Sequence, residues 1–138
     1  MAKVIYDLRT DHKHIRDVQD ATLHNSWSGL VPEHGLFGSE EWWASINEGR
    51  IRVHVIRGRI TRVYMSGHND FPEFEVDDGK AKTKWARVGT DSEYVVGRPV
   101  EIEYVLQRFK NEDKKLRKIL GEYSECVLRI SVETDSGT

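Results

Sequence analysis

The chain has 138 residues, of which 38% are hydrophobic and 32% are charged, and its formal net charge is −2. This length suffices for one domain with its own core, and the slightly negative charge gives no overall attraction for a polyanion. The sequence has no apolar run near the roughly 20 residues of a membrane-spanning helix, no N-terminal signal-peptide core and only one cysteine, so we expect a cytoplasmic protein without an internal disulfide.

Residues 1–49 predict a helical N-terminal cap on a single domain that covers residues 1–138. A short strand is expected over residues 3–8. Thr10 and the aspartate after it supply an N-cap, and apolar side chains follow at helical spacing, which predicts a helix over residues 12–24.

A loop and a second helix complete this cap. Residues 25–38 hold three glycines and a proline, which indicates a loop. Ser39 precedes two glutamates, a combination that satisfies free amides and favours the helix dipole. The helix that begins there contains Trp42 and Trp43 and ends near Gly49.

Residues 50–133 predict the β-barrel core, and residues 134–138 predict a frayed tail. Alternating apolar and polar residues indicate strands over 51–56, 60–65, 74–77, 82–85, 100–106 and 128–132. Arg57-Gly58-Arg59 predicts a turn or a bend between the first two strands. A helix is expected near residues 111–122, where apolar residues recur at positions i, i+3, i+4 and i+7.

Asp78-Gly79 suits a two-residue hairpin turn, because both residue types tolerate a positive φ. With that turn, three acidic residues lie opposite three lysines on one face of the hairpin, as Asp77–Lys80, Glu75–Lys82 and Glu73–Lys84. The other face then carries Phe74, Val76, Thr83 and Trp85, whose burial supplies most of the stability.

The fold class predicted from these elements is α+β, a small antiparallel barrel of five or six strands with two or three peripheral helices. In strand order and glycine placement, residues 50–133 resemble an oligonucleotide/oligosaccharide-binding (OB) barrel. The resemblance rests on a long bent strand, the hairpin ending in Asp77-Asp78-Gly79, and the strand introduced by residues 95–100 (VVGRPV). It differs from the OB pattern in that the predicted helix follows the strand over residues 100–106.

The strand pattern also predicts which side chains form the core. Buried positions are expected at Val53, Val63, Phe74, Trp85, Val100, Ile102, Leu116, Leu128 and Ile130, with Glu101 and Glu103 exposed. For the strand over residues 60–65, we take Thr61, Val63 and Met65 as the inward face, and Ile60 and Tyr64 form the alternative.

Charge is unevenly distributed along the chain. Residues 50–87 hold nine Lys or Arg and five acidic residues, whereas residues 1–49 hold four bases and eight acids. Bases interleaved with aromatic rings suit a single-stranded nucleic acid, and the OB resemblance implies such a surface. The predicted contacts are Arg52, Arg57, Arg59, Arg62 and Tyr64. If residues 57–59 form a loop, Arg52 lies opposite Tyr64. The alternative is that the hairpin lysines pair with acids of the hairpin and the aromatic rings are core.

Trp42 and Trp43 suggest a second class of function. Adjacent helical residues point about 100° apart, so one ring can enter the core while the other meets a partner. The alternative function is therefore a protein–protein interaction or an immunity-type inhibitor that uses both tryptophans and the acidic N-terminal third. It remains open whether the loop over residues 27–37 covers both rings.

Catalytic and metal-binding patterns are missing from the sequence. The six histidines lack the spacing of a metal site, and Ser26 and Ser28 lack the surroundings of a nucleophile. We therefore predict a non-enzymatic binding module with no metal and no cofactor. Its partner is single-stranded nucleic acid or a protein, not a membrane.

Overall fold

The computed structural model describes residues 2–24, 29–67, 70–108 and 123–134. Its elements in chain order are β1 (Ala2–Asp7), α1 (His12–His24), α2 (Glu40–Asn47), β2 (Val53–Met65), β3 (Pro72–Asp77), β4 (Lys82–Ala86), β5 (Pro99–Arg108) and β6 (Tyr123–Glu133). Short 3-10 turns occupy Leu8–Thr10 and Asp91–Glu93. The predicted helix near residues 111–122, its Leu116 and residues 135–138 of the predicted tail lie outside the described residues.

The six strands form one antiparallel sheet in the order β1-β6-β5-β2-β3-β4. The α+β class is therefore confirmed, with six strands and two helices in the described part of the chain. Within that part β1 and β4 are the two edges of an open sheet. The expected closed barrel is therefore not observed among these residues, and the OB resemblance stays a prediction.

Contacts divide the chain into two compact units. The sheet unit comprises Met1–Asp7, Val55–Glu103 and Leu128–Thr138, and the helical unit comprises Leu8–His54 and Tyr104–Val127. Strands β2, β5 and β6 contribute residues to both units. The single domain over residues 1–138, with its boundary at residue 49, stays a prediction.

The sheet unit has an apolar core that matches most of the predicted positions. Six predicted core residues are buried: Phe74, Trp85, Val100, Ile102, Leu128 and Ile130. The Phe74 ring lies 4.6 Å from the buried Tyr94 ring, centroid to centroid. The predictions for Val53, which is 37% exposed, and for Glu101 and Glu103, which are half-buried, are wrong.

The hairpin turn has four residues, 78–81, and not the two that were expected. Asp77 lies opposite Lys82 and Glu75 opposite Lys84. The longer turn is stabilised by its aspartates, because Asp78 Oδ1 accepts hydrogen bonds from the Lys80 and Ala81 amides, both at 2.8 Å. Since the register shifts by two residues, every side chain keeps its predicted face.

Strand β2 is continuous, and the turn predicted at residues 57–59 is absent from it. A Cβ atom at Gly58 would overlap the Asp77 carbonyl oxygen, so glycine serves here for the close approach of β3. The register shifts between Ile60 and Arg62, which places both Ile60 and Val63 opposite buried residues of β3. Neither predicted inward set is therefore correct, and Met65 is 52% exposed.

The helical unit follows its local sequence signals closely. Helix α1 covers the predicted residues, and the Thr22 hydroxyl donates to the Val18 carbonyl and accepts from the Leu30 amide. The Ser39 side chain caps α2 by accepting from the Trp42 amide at 3.2 Å. Among the described residues, no helix is long and apolar enough to cross a membrane.

Cys126 is expected to resist thiol reagents in the native protein. Burial raises the pKa of its thiol to about 11, so the reactive thiolate is scarce at neutral pH. Iodoacetamide at pH 8 should leave the folded chain unmodified and label it fully in denaturant, as read by mass spectrometry. Rapid labelling without denaturant would contradict the burial of this side chain.

Candidate functional site

The sheet unit carries a charged face in which acidic and basic side chains alternate from strand to strand. In sheet order it comprises Asp7 on β1; Arg129 on β6; Glu101 and Glu103 on β5; Arg57, Arg59 and Arg62 on β2; Glu73, Glu75 and Asp77 on β3; and Lys82 and Lys84 on β4. Arg129 pairs with Glu103 at 2.6 Å, and Arg57 pairs with Glu101 at 2.8 Å. Each basic column therefore lies beside an acidic one.

Three of the predicted nucleic-acid contacts, Arg57, Arg59 and Arg62, belong to this charged face. Arg57 is held by Glu101. Arg59 lies opposite Asp77 and donates to the Gly97 carbonyl at 2.9 Å, while Arg62 lies opposite Glu75. The excess of bases over residues 50–87 is thus largely balanced by acidic neighbours in the sheet.

Tyr64 is half-buried and lies between charged residues of β2 and β3. The Arg62 guanidinium carbon lies 4.4 Å from the centroid of the Tyr64 ring, and Glu73 is the cross-strand neighbour of Tyr64. Burial and, after it, the neighbouring Glu73 carboxylate raise the pKa of the Tyr64 hydroxyl. The predicted Arg52–Tyr64 pairing is wrong, because Arg52 immediately precedes the strand that contains Tyr64.

The two adjacent tryptophans have different environments. Trp42 is fully buried, packs against Phe37 with ring centroids 4.8 Å apart, and donates from Nε1 to Gln107 Oε1 at 2.9 Å. Trp43 is half-buried, and the Arg9 guanidinium carbon lies 4.0 Å above its ring. One ring is therefore core and the other reaches the surface, as the 100° spacing predicts.

The helical unit contains a cleft that we name the Arg52 cleft. Its lining residues are Val31, Glu33, His34, Trp42, Arg50, Ile51, Arg52, His54, Leu106, Gln107, Arg108 and Tyr123. Buried Trp42 and Ile51 supply apolar surface, and Leu106 and Tyr123 are 41% and 47% exposed. The cleft thus combines an apolar wall with accessible aromatic, aliphatic and arginine side chains, the composition of interface centres.

Hydrogen bonds fix the walls of the Arg52 cleft. The Gln107 amide group donates to the Val31 carbonyl at 3.1 Å, and the Val31 amide donates to the Arg108 carbonyl at 2.9 Å. The side-chain oxygen of Gln107 accepts a hydrogen bond from Trp42 Nε1. Ring stacking places His54 5.2 Å from Tyr104, centroid to centroid. These contacts fix the shape of the cleft in the free protein.

The three arginines of the cleft differ in their contacts. Arg50 forms an ion pair with Glu48, and its Nε lies 3.4 Å from the Ser45 hydroxyl oxygen. Arg108 lies 3.7 Å from Glu33, nitrogen to oxygen. Arg52 is exposed and has no hydrogen bond or ion pair within the described residues. Among the described residues that line the cleft, Glu33 is the one acid beside three arginines, so this lining has an excess of positive charge.

The size of the cleft indicates the kind of group it can take. Its volume is about 190 Å³, below the roughly 300–1,000 Å³ of typical small-molecule sites. It has room for one or two amino-acid side chains. Among the described residues, no group of three or more His, Cys, Asp and Glu side chains is placed to hold a metal ion.

A comparison with protein families decides the class of the protein. A family model described as "Immunity protein RhsI2" matches residues 2–133. The chain belongs to the RhsI2 immunity protein family. A search of curated proteins found no match.

Membership of the RhsI2 family corrects the main functional prediction. Immunity proteins are inhibitors that bind toxins, so the partner class is a protein, and binding of single-stranded nucleic acid is not supported. The alternative, an immunity-type inhibitor, is the better interpretation. The family also confirms that the chain is not an enzyme.

Sequence reasoning missed much of the Arg52 cleft. It selected Arg52 and Trp42 but not Glu33, His54, Arg108 or Tyr123, because these residues lie on segments far apart in the chain. No short motif links them. The only local signal was the row of bases beginning at Arg50, and most of that row belongs to the charged face.

Proposed function

We propose that the chain neutralises a protein toxin by binding it through the Arg52 cleft. The observation that carries this proposal is the combination of an immunity-family match over residues 2–133 with a preformed, side-chain-sized cleft. Arginine, tyrosine and tryptophan are the residue types enriched at binding hot spots, and all three line this cleft. Inhibition by occupancy requires no catalytic group. The cytoplasm remains the proposed compartment.

The charged face is the less favourable docking surface. Its arginines already have acidic neighbours, and a partner would have to replace those contacts. Exposed ion pairs contribute little on their own, so exchanging them for intermolecular pairs yields little net affinity. The Arg52 cleft offers accessible apolar surface and a guanidinium without a partner among the described residues, so docking there gains more.

Trp42 and Trp43 keep a place in the proposal, with separate roles. Trp42 lies in the core, where its ring forms part of the cleft wall and its indole N–H positions the Gln107 side chain. Trp43, half-buried under Arg9, offers a second aromatic surface in the acidic N-terminal third. We propose that the toxin contacts Trp43 at the margin of the interface.

Co-expression tests the proposed function. The probe is the cognate toxin of this chain, expressed from an inducible promoter in a host that lacks the chain. Expression of the toxin should arrest growth, and the full-length chain should restore it, while a version with an early stop codon should not. Continued arrest in the presence of the folded, soluble chain would overturn the proposal.

A further inference from the structure

We infer that the Arg52 cleft receives a carboxylate side chain of the toxin, with the Arg52 guanidinium as the group that specifies it. This inference rests on the proposed function and adds the chemistry of the toxin surface. It is based on the different ion pairs and hydrogen bonds of the three arginines in the cleft and on the apolar surface beside them.

The charges of the cleft select an acidic partner. Arg50 and Arg108 have carboxylates of the chain nearby, Glu48 and Glu33 respectively, whereas Arg52 has no partner within the described residues. A guanidinium presents a planar set of donors that matches a carboxylate with two parallel hydrogen bonds. The Arg52 guanidinium is therefore the group in the cleft that fits an Asp or Glu side chain of the toxin.

The apolar surface explains why the pair would be strong. A carboxylate entering the cleft comes close to the side chains of Leu106 and Tyr123 and to the buried Ile51. Docking of a protein over the cleft removes water from this pair, and charge pairs strengthen where water is excluded. The cleft volume of about 190 Å³ leaves space for the acidic side chain and one apolar neighbour.

Single substitutions at Arg52 test the inference, with the same toxin as the probe. Arg52→Ala should raise the dissociation constant at least about thirtyfold, mainly through faster dissociation. Arg52→Lys keeps the charge but loses the two-pronged geometry, so it should rank between alanine and the native chain. Arg52→Glu should bind most weakly. Because Arg52 is exposed and has no hydrogen bond or ion pair with the described residues, all three variants should melt like the native protein.

Arg57→Glu is the matched control. This substitution changes the net charge by the same amount as Arg52→Glu. Residue 57 lies on the charged face, where the native arginine is paired with Glu101. Its affinity should stay within about threefold of native, since a peripheral charge acts chiefly on the association rate.

The outcomes separate the inference from the proposed function. If the native chain binds the toxin but the Arg52 variants bind like Arg57→Glu, the carboxylate inference is wrong and the proposed function stands. Equal weakening by Arg52→Glu and Arg57→Glu would attribute the effect to net charge and also overturn the inference. Failure of the native chain to bind the toxin would overturn both.

Discussion

Replacing Trp42 by alanine is expected to lower the free energy of unfolding by about 3–5 kcal/mol. The ring is fully buried against Phe37, so its removal leaves a cavity in the helical unit. The substitution also removes the indole N–H that donates a hydrogen bond to the side-chain oxygen of Gln107. Urea denaturation followed by circular dichroism measures the loss.

Trp43→Ala is the matched control for that substitution. It removes the same side chain from the next residue of α2, but Trp43 is half-buried and rests under Arg9. We expect a loss of about 1–2 kcal/mol, from partial burial and a cation–π contact. Equal losses for the two variants, or a larger loss at Trp43, would contradict the assignment of Trp42 to the core.

Gly89→Val is expected to destabilise the sheet unit by more than about 3 kcal/mol, or to prevent folding. Gly89 has a φ of +75°, and this backbone conformation alone costs a β-branched residue about 1–3 kcal/mol. In addition, a Cβ atom there would overlap the Ile5 carbonyl oxygen of β1. The thermal midpoint of unfolding measures the effect.

Gly97→Val separates the two causes. Gly97 has a φ of +90°, and a Cβ atom there would meet nothing within 4 Å. This variant should therefore show only the backbone strain and remain folded. If both variants lose the same stability, the close approach of Gly89 to β1 contributes nothing.

Local signals predicted the helices well. The boundaries of α1 and the Ser39 cap of α2 both follow from residues within one or two turns of each helix end. The alternation of the hairpin placed Phe74 and Trp85 on the buried face, even though the turn is two residues longer than expected. Such features depend on neighbours in sequence, which a single sequence contains.

Contacts between distant segments account for the errors. Gly58 resembled a turn residue, but its role is to let β3 approach β2, and nothing near it in sequence indicates that approach. The bases over residues 50–87 suggested a polyanion because their acidic neighbours, such as Glu101 for Arg57, lie on other strands. Net charge along a segment is a poor guide when a sheet interleaves distant segments.

The Arg52 cleft shows the same limit at the candidate site. It joins residues 31–34, 50–54 and 106–108 with Tyr123, and no spacing in the sequence brings these segments together. The sequence could predict that Trp42 and Trp43 diverge, because this follows from helix geometry alone. It could not choose between a nucleic acid and a toxin as the partner.

Hydrogen–deuterium exchange of the chain, with and without its cognate toxin, tests directly whether the Arg52 cleft is the binding site. Binding through the Arg52 cleft predicts slower amide exchange at residues 31–34 and 50–54, with exchange in β3 and β4 of the charged face unchanged. Slower exchange confined to β3 and β4, with residues 31–34 and 50–54 unchanged, would contradict binding through the Arg52 cleft.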